Sequence, residues 1–470
     1  MPQIDSQSKC PLCQATKHLV PVRAVHLDLK GLPPTPDRLI SLLRVFHAAG
    51  YNAILVEWED SFPWSVDARF RSPTAYSSEE IEHFCAEAKS LGIEIIPLVQ
   101  CLGHMETPLR EVGYEHLREV RCRRDVLNPL AKGARDLIMA MVDDVLGRIS
   151  DVRYFHLGGD EAWTFGTHPD TRNYIDQHGG GEAGRASLYL YHVEPILEKL
   201  KVRGIRPILW HDMMIHWPED KVLRLAHCAD LVVWGYGGHP DNTECHYNTR
   251  YIQRLRDVGM RLWGATSYKG TESQDSDLPD YAKREKNAII WCEMARRFAL
   301  EGLIATGWSR FNSESLQTEP IDAALDVLAY IGGIIHDGNS PPEGMKSCLK
   351  LLEKLGEKER FLSCKEVMHQ LVEARAHAWE IIRHLHQQIV LESEVSVRRR
   401  GSAGPPQLLE SLRETLDTLS DIGKIMCQRF AGLVDLIWIQ EYFDARVIPI
   451  REQYQDLGER VKMIAATSVD

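Results

Sequence analysis

Short apolar segments alternate with amphipathic segments along the first two thirds of the chain. Each apolar segment is a few residues long and ends in polar or aromatic residues, which is typical of a buried strand. The amphipathic segments carry apolar residues at helical spacing, and several of them end at a glycine, as helices commonly do. The apolar segments are residues 23–29, 52–57, 93–99, 153–157, 206–210, 230–234, 260–264 and 302–306.

Eight strands that alternate with helices predict a parallel sheet closed into a (β/α)8 TIM barrel. The first helices of the repeat are predicted at 38–49, 78–91 and 134–149. An open doubly wound sheet would need fewer strands and usually a phosphate-binding glycine loop after the first strand. No such loop follows residues 23–29, so the pattern favours the barrel.

The pattern changes at about Gly338, after which Pro341 and Pro342 interrupt the chain. Residues 345–391 and 408–466 carry apolar residues at helical spacing, and the polar segment between them includes three consecutive arginines, 398–400. We therefore predict an N-terminal polar extension (1–21), a catalytic barrel (22–337) and a C-terminal α-helical domain (338–470). Long helices pack on each other or on a partner. A plain antiparallel pair and a homodimer through these helices both remain open.

Charge and composition exclude several classes of protein. The chain has 470 residues, a formal net charge of −12, 44% hydrophobic and 26% charged residues, which is the composition of a globular protein. An acidic chain is a poor nucleic-acid partner. No apolar segment has transmembrane length, and residues 1–9 are polar rather than those of a signal peptide. We therefore expect no membrane partner and a cytoplasmic location.

The cysteines predict neither a disulfide framework nor a metal centre. Eleven cysteines are scattered singly apart from Cys10 and Cys13. A second pair at zinc-binding spacing is missing, although a site shared with another part of the chain stays open. We predict no metal and no cofactor.

The segment 152–163 contains the candidate chemistry, because an apolar strand there ends in two glycines and two acids. Gly158 and Gly159 allow the backbone to bend, so that Asp160 and Glu161 can both face one pocket. A buried pair of carboxylates repels, which raises one pKa and lowers the other and suits a general acid beside an ionised stabiliser. A solvated acidic turn that caps the next helix is the alternative.

Polar and aromatic residues follow all eight predicted strands at the same end. Active sites of TIM barrels lie at the C-terminal ends of the strands, so this distribution supports both the fold and the site. In strand order, these residues are Asp28 and Lys30; Glu57, Glu59 and Asp60; Gln100 and His104; Asp160 and Glu161; Trp210 and Asp212; Trp234 and Tyr236; Tyr268 and Lys269; Trp308 and Arg310.

Seven motifs in order resemble those of the family-20 glycoside hydrolases, the β-N-acetylhexosaminidases. The motifs span about residues 22–312 and are HLDLKG at 26–31, EWEDSFP at 57–63, PLVQCLGHME at 97–106, HLGGDE at 156–161, WHD at 210–212, VWGY at 233–236 and TGWSR at 306–310. The resemblance implies a retaining exo-β-N-acetylhexosaminidase. It would release terminal non-reducing GlcNAc or GalNAc from a glycan, and the substrate's own acetamide would attack to form an oxazolinium intermediate.

The resemblance also implies roles for individual residues. Glu161 matches the general acid/base, for which we expect a raised pKa. Asp160 matches the residue that orients the acetamide N–H and stabilises the developing positive charge. A tyrosine donates to the acetamide oxygen, and Tyr236 is favoured over Tyr268 because it lies in a matched motif.

The remaining matches concern binding of the sugar. The tryptophans match residues that wall the acetamido pocket and stack on the sugar ring, and Asp28, Lys30 and Glu59 are assigned to the hydroxyl groups O3, O4 and O6. Many family members place an arginine after the first strand, where this chain has Lys30, which lacks the planar fork of arginine. The predicted substrate-binding residues are Asp28, Lys30, Glu59, His104, His156, Trp210, Asp212, Trp234, Tyr268 and Trp308. His104 and His156 either orient the acids or are structural.

Three other functions remain open. In a two-carboxylate retaining glycosidase, Glu57 or Glu59 would be the nucleophile and Glu161 the acid. A metal-dependent barrel hydrolase would use His26, Asp28, His156 and Asp160. A carbohydrate-binding protein of the same fold would bind the sugar without turnover.

Overall fold

The computed structural model describes residues 18–394 and 404–467. Cys10, Cys13 and the three arginines at 398–400 lie outside these residues, and so does most of the predicted N-terminal extension. The barrel is described in full, and it contains every candidate site residue.

Eight parallel strands form a closed barrel in which each strand pairs with its neighbours in sequence, and this confirms the predicted fold. The barrel closes where Val22 of the first strand pairs with Gly302 of the last. The strands are β1 Val22–Asp28, β2 Ala53–Glu57, β3 Glu94–Leu98, β4 Tyr154–His156, β5 Arg206–Trp210, β6 Asp230–Trp234, β7 Leu262–Lys269 and β8 Gly302–Gly307.

Ten α-helices connect or follow the barrel strands. They are α1 Pro36–Ala48, α2 Ser78–Ser90, α3 Glu106–Leu109, α4 Ala134–Leu146, α5 Pro169–Gln177, α6 Gly181–Val202, α7 Glu219–Ala226, α8 Thr249–Asp257, α9 Tyr281–Phe298 and α10 Leu325–Asp337. Helix α1 begins two residues before its predicted start, because the Thr35 side chain caps it and Pro36 occupies its first turn. Strand β7 extends beyond the predicted 260–264, since its residues up to Lys269 pair with β8 through a register shift.

The interior of the barrel is filled by side chains, so it forms a closed floor beneath the C-terminal rim. Small and branched residues such as Ala24 and Ile304 pack there with Trp263 and Trp210. Trp234 and Trp308 pack against this interior cluster from the rim and are only partly buried. Indole surfaces therefore form part of the boundary between the filled interior and the rim.

In the part of the chain that the structure describes, four further helices follow the barrel: α11 Met345–Lys354, α12 Lys358–Glu394, α13 Pro405–Arg429 and α14 Leu436–Thr467. The pattern predicted at 408–466 is divided between α13 and α14 by a turn that contains Gly432, with φ of 77°. The last three helices share a core that also includes Leu32 of the barrel. Among the helices of the described residues, none combines the length and apolarity that a membrane crossing requires. The proposed domain border and the homodimer stay predictions.

Candidate active site

A cavity of about 320 Å³ opens at the C-terminal ends of the strands, and every strand or the loop after it contributes to its wall. This volume is within the range of small-molecule sites. The lining residues are Lys30, Glu57, His104, Asp160, Glu161, Trp210, Trp234, Tyr236, Gly270, Thr271, Ser273, Gln274, Trp308, Arg310, Phe311 and Thr318. Both acids of the sequence motif are therefore in one cavity.

The two glycines before the acids adopt the backbone conformation that the motif predicted. Gly158 and Gly159 have φ of 59° and 80°, a region that L-residues with side chains rarely occupy. A Cβ on Gly159 would lie 2.3 Å from the hydroxyl of Tyr189, which donates to the Gly159 carbonyl. The bend turns both acids inward, and Asp160 is only 6% exposed, which disfavours a solvated acidic turn.

His104 lies between the two acids. Its Nε2 is 3.4 Å from Oε2 of Glu161 and 3.7 Å from Oδ2 of Asp160. Burial opposes protonation, yet the charge of Asp160 and the hydrogen bond to Glu161 raise the pKa of His104 to about 10. Burial raises the pKa of Asp160, the acid that we expected to stay ionised, and the His104 cation limits that rise.

Asp212 holds the acid motif in place and does not line the cavity. Its Oδ2 accepts from the backbone N–H of Glu161 at 2.9 Å, and its Oδ1 accepts from Nε1 of Trp234 at 3.2 Å. Glu161 has a φ of 47°, which is strained for a residue with a side chain. In this structure Asp212 therefore acts on the site through Glu161 and Trp234, and the sugar contact that we predicted for it stays a prediction.

Three tryptophans and a tyrosine form the aromatic wall. The rings of Trp210 and Trp308 are 5.9 Å apart, and Trp234 stacks on Tyr236 at 5.6 Å. Nε1 of Trp308 donates to the Tyr236 hydroxyl at 3.1 Å. That bond uses the Tyr236 hydroxyl as an acceptor and does not consume its proton, and the Thr306 hydroxyl also lies within hydrogen-bonding reach of Tyr236.

Tyr268 does not line the cavity, although it follows the same rim. Its side chain is 1% exposed, and its hydroxyl donates to the His26 carbonyl at 3.2 Å. The ring also fills the space beside Gly307, where a Cβ would lie 2.3 Å from it. Of the two candidate tyrosines, only Tyr236 reaches the cavity.

The residues assigned to the sugar hydroxyls are largely engaged with each other. Lys30 lines the cavity, but its ammonium lies 2.8 Å from Glu57, 3.2 Å from Asp28 and 3.9 Å from Glu59. Asp28 does not reach the cavity, because its oxygens accept from the backbone N–H groups of Lys30 and Ser309. Glu59 lines a smaller adjoining cavity instead.

The contacts of His156 are with the backbone of the glycine turn and with a tryptophan of the barrel, as expected of a structural residue. It is fully buried outside the cavity lining, its Nδ1 accepts from the Gly158 N–H at 2.9 Å, and its ring packs 4.4 Å from Trp210. Burial lowers the pKa of His156 to about 3, so the ring is neutral. His156 thus supports the glycine turn and the tryptophan rather than a ligand.

Comparison with known proteins matches this site to one enzyme family. The model described as "Glycosyl hydrolase family 20, catalytic domain" matches residues 59–247, which include both acids. Hexosaminidase D of Bos taurus is 33% identical over 325 residues, which cover 67% of this chain and 92% of the relative. Hexosaminidase D of Homo sapiens is 32% identical, covering 66% of this chain and 64% of the relative.

The chain belongs to glycoside hydrolase family 20. This confirms the resemblance and the predicted enzyme class. Two solved structures share the fold of this family-20 enzyme. The β-N-acetylhexosaminidase of Bacteroides fragilis has a TM-score of 0.54 at 16% identity, covering 73% of this chain and 72% of its own. The chitobiase of Flavobacterium johnsoniae has a TM-score of 0.55 at 14% identity, covering 95% of this chain and 72% of its own.

Several lining residues of this family-20 enzyme were not predicted as ligands. They come from the loops after β7 and β8, where hydrophobic periodicity carries no information. The sequence contained one signal, since Arg310 closes the matched motif at 306–310. The unpredicted residues are Gly270, Thr271, Ser273, Gln274, Arg310, Phe311 and Thr318.

The four residues of the metal-dependent alternative do not form a ligand set. Asp28 is bound to backbone N–H groups, His156 to Gly158, and His26 faces Glu57 at 3.3 Å. Within residues 18–394 and 404–467, no three His, Cys, Asp or Glu side chains are grouped as a metal ion would require.

Proposed function

We propose that the protein is a retaining exo-β-N-acetylhexosaminidase that releases terminal GlcNAc or GalNAc from glycans by substrate-assisted catalysis. The observation that carries this proposal is that Asp160 and Glu161 share one cavity with three tryptophans and the Tyr236 hydroxyl. The names of the relatives, hexosaminidase D, support the same substrate class. The cavity volume of about 320 Å³ suits a terminal sugar.

In the first step, the Glu161 carboxyl gives its proton to the glycosidic oxygen while the acetamide oxygen of the substrate attacks the anomeric carbon. The bond to the leaving group breaks, and an oxazolinium ring forms. Asp160 accepts a hydrogen bond from the acetamide N–H and offsets the positive charge of the ring, while Tyr236 donates a hydrogen bond to the acetamide oxygen. In the second step, Glu161 takes a proton from water, which opens the ring with net retention.

The tryptophans contribute by shape and by excluding water. Indole faces suit the C–H-rich face of a pyranose, and Trp210 and Trp308 meet at an angle of 53°, which forms a concave floor. Apolar walls that exclude bulk water protect the intermediate from attack by a water molecule in the wrong orientation. The contact between Trp308 and Tyr236 couples the floor to the acetamide partner.

The contacts of the other carboxylates favour the substrate's acetamide over a protein nucleophile. Glu57 faces Lys30 at 2.8 Å and His26 at 3.3 Å, and Gln100 donates to the same carboxylate at 3.1 Å. Burial notwithstanding, Lys30 and His26 hold the pKa of Glu57 well below its usual range. A carboxylate so engaged is a weak nucleophile, and Glu59 lies outside the main cavity.

Turnover of aryl β-N-acetylglucosaminide and β-N-acetylgalactosaminide, beside the plain glucoside, tests the proposal. We expect hydrolysis of the acetamido substrates only, and inhibition by a thiazoline analogue of the intermediate. Cleavage of the plain glucoside at a similar rate would instead support a protein nucleophile. Binding of N-acetylglucosamine without any turnover would support a carbohydrate-binding protein.

The variant Glu161→Gln tests the assignment of Glu161 as the general acid. It should lose about 10² to 10⁴ in kcat on substrates with poor leaving groups and much less on activated aryl glycosides, because only the former need protonation. Affinity for N-acetylglucosamine should be nearly unchanged, as measured by calorimetry. Wild-type kcat on both substrate types would contradict the role of Glu161.

A further inference from the structure

Arg310 covers the end of the first barrel strand from the cavity side. The residue is 9% exposed and lines the cavity, and its guanidinium lies so close to Gly31 that a Cβ there would fall 2.0 Å from Nε. Gly31 has a φ of 74° and directly follows Lys30. The Arg310 guanidinium therefore lies beside the segment that follows β1, although the sequence of that segment itself contains a lysine and no arginine.

The two cations differ in what they can offer a ligand. Lys30 has three donors and faces three carboxylates. Arg310 has five donors, and within the described residues its guanidinium donates to the Ser315 carbonyl at 2.7 Å and to Glu441 at 2.5 Å. A planar fork with remaining N–H groups suits two neighbouring hydroxyl groups better than a saturated ammonium does.

Glu441 belongs to α14, so the carboxylate that holds Arg310 comes from the C-terminal helices. Helix α14 is fixed to the cavity wall one turn further on, where Arg446 binds Asp277 at 2.5 Å and the Gln317 carbonyl at 2.6 Å. Asp277 follows the lining residues of the β7 loop, and Gln317 pairs with Arg310 in a β-bridge. These contacts fix Glu441 relative to both loops.

We propose that Arg310 binds ring hydroxyl groups at the non-reducing end of the terminal sugar, and that Glu441 positions its guanidinium. The C-terminal helices then complete the substrate site. Trp308, two residues before Arg310, contributes to the floor of the same cavity, so a ring that rests on the indole presents its edge hydroxyls to the guanidinium. The inference rests on the proposed function, because it names further contacts of the same sugar.

Deoxy substrates test the contact of Arg310 directly. We would measure kcat and KM of wild type and Arg310→Ala on aryl N-acetylglucosaminide and on its 3-deoxy and 4-deoxy analogues. A hydrogen bond between a charged donor and a hydroxyl is worth about 10- to 100-fold. Wild type should prefer the parent over at least one analogue by about this factor, and the variant should lose that preference. A variant that keeps the wild-type preference for both hydroxyls overturns the proposal.

The conservative variant Arg310→Lys and rescue by guanidinium separate a ligand role from a structural one. Arg310→Lys keeps the charge but lacks the fork, so it should lose most of the same preference. Added guanidinium should restore turnover of the parent substrate by Arg310→Ala, and not turnover of the deoxy analogue that the wild type disfavours. Circular dichroism and thermal unfolding would verify that both variants are folded. An Arg310→Lys variant with wild-type preference would overturn the role of the fork.

The role of Glu441 has a matched control on the same helix. Asp444, three residues along, accepts from Gln440 and makes no contact with the cavity lining among the described residues. Glu441→Gln should weaken the hydroxyl preference by about two- to fivefold, as loss of a partly exposed ion pair does. Asp444→Asn should leave it unchanged. Equal behaviour of the two variants overturns the positioning role.

Binding distinguishes failure of this inference from failure of the proposed function. Calorimetry of wild type and Arg310→Ala with methyl N-acetylglucosaminide and its deoxy analogues needs no turnover. A protein that binds the sugar through Arg310 but hydrolyses nothing contradicts the proposed function and supports this inference. If wild type and Arg310→Ala both hydrolyse acetamido substrates and show the same hydroxyl preference, the proposed function is supported and this inference is contradicted.

Discussion

The His104 cation should set the lower pH limit of the reaction, because it faces the carboxyl that must be ionised. Nε2 of His104 is 3.7 Å from Asp160 and 3.4 Å from Glu161. Glu106 also favours the cationic form, whereas Lys30 opposes it. With a pKa of about 10, the imidazole is protonated throughout the neutral range. His104→Gln removes this charge and retains a polar side chain.

Coulomb's law gives the expected size of the change in the pKa of Asp160 when the His104 cation is removed. Two unit charges about 4 Å apart interact by about 4 kcal/mol at an effective dielectric constant near 20, which corresponds to about three pKa units. Relaxation and solvent reduce this, so we expect about one to three. Burial already raises the pKa of Asp160, and removing the cation raises it further. The ionised form then exists only at higher pH.

The pH profile of kcat/KM on aryl N-acetylglucosaminide measures this, since its acidic limb reports the free enzyme's essential base. The limb should move to higher pH by about one to three units in His104→Gln. The control is His178→Gln, because His178 is exposed and stacks on Tyr174. An acidic limb that stays at the wild-type pH would refute the argument that His104 keeps Asp160 ionised.

Three other perturbations follow from the geometry. Tyr236→Phe should lower kcat by about 10²-fold through loss of the acetamide donor, whereas Tyr268→Phe should keep its kcat, and steady-state kinetics of the pair shows which tyrosine acts. Gly103→Ala places a Cβ 1.9 Å from the Asp160 carbonyl oxygen and should cost about 10²-fold in kcat by displacing the acid, whereas Gly458→Ala, with 3.7 Å of clearance, should be silent. Lys30→Met leaves buried carboxylates unpaired and should lower the free energy of unfolding by about 3 to 5 kcal/mol, as measured by urea denaturation; an unchanged midpoint would contradict the ion-pair argument.

The barrel and its active rim were predictable because both follow from short-range patterns. A buried strand followed by a polar residue defines the strand end, and parallel strands bring all such ends together. The Gly158-Gly159 bend was predictable for a similar reason, since only glycine tolerates that backbone freely. These features depend on residues close in sequence.

The direction of each side chain depends on contacts distant in sequence, which the local sequence pattern does not reveal. Asp28 and Tyr268 end strands as predicted, but Asp28 binds the Ser309 backbone and Tyr268 binds the His26 carbonyl. Nothing near either residue in the sequence announces these partners. Arg310 was not predicted to bind the sugar, because its place in the cavity wall depends on Gly31 and on Glu441 of a distant helix.

Strained backbone at the site shows how the fold trades stability for chemistry. Glu59, His104 and Glu161 have φ of 47°, 53° and 47°, where glycine would be favoured, and each costs about 1 to 3 kcal/mol. All three side chains line the main cavity or the adjoining one. Hydrogen bonds hold two of them: the Trp64 indole donates to the Glu59 carbonyl at 2.7 Å, and Asp212 accepts from the Glu161 amide at 2.9 Å. Glycine would relieve the strain at each position but would remove the acid or the cation. The contact between Asp212 and the Glu161 amide therefore helps to hold the proposed acid in a conformation that the chain would otherwise avoid.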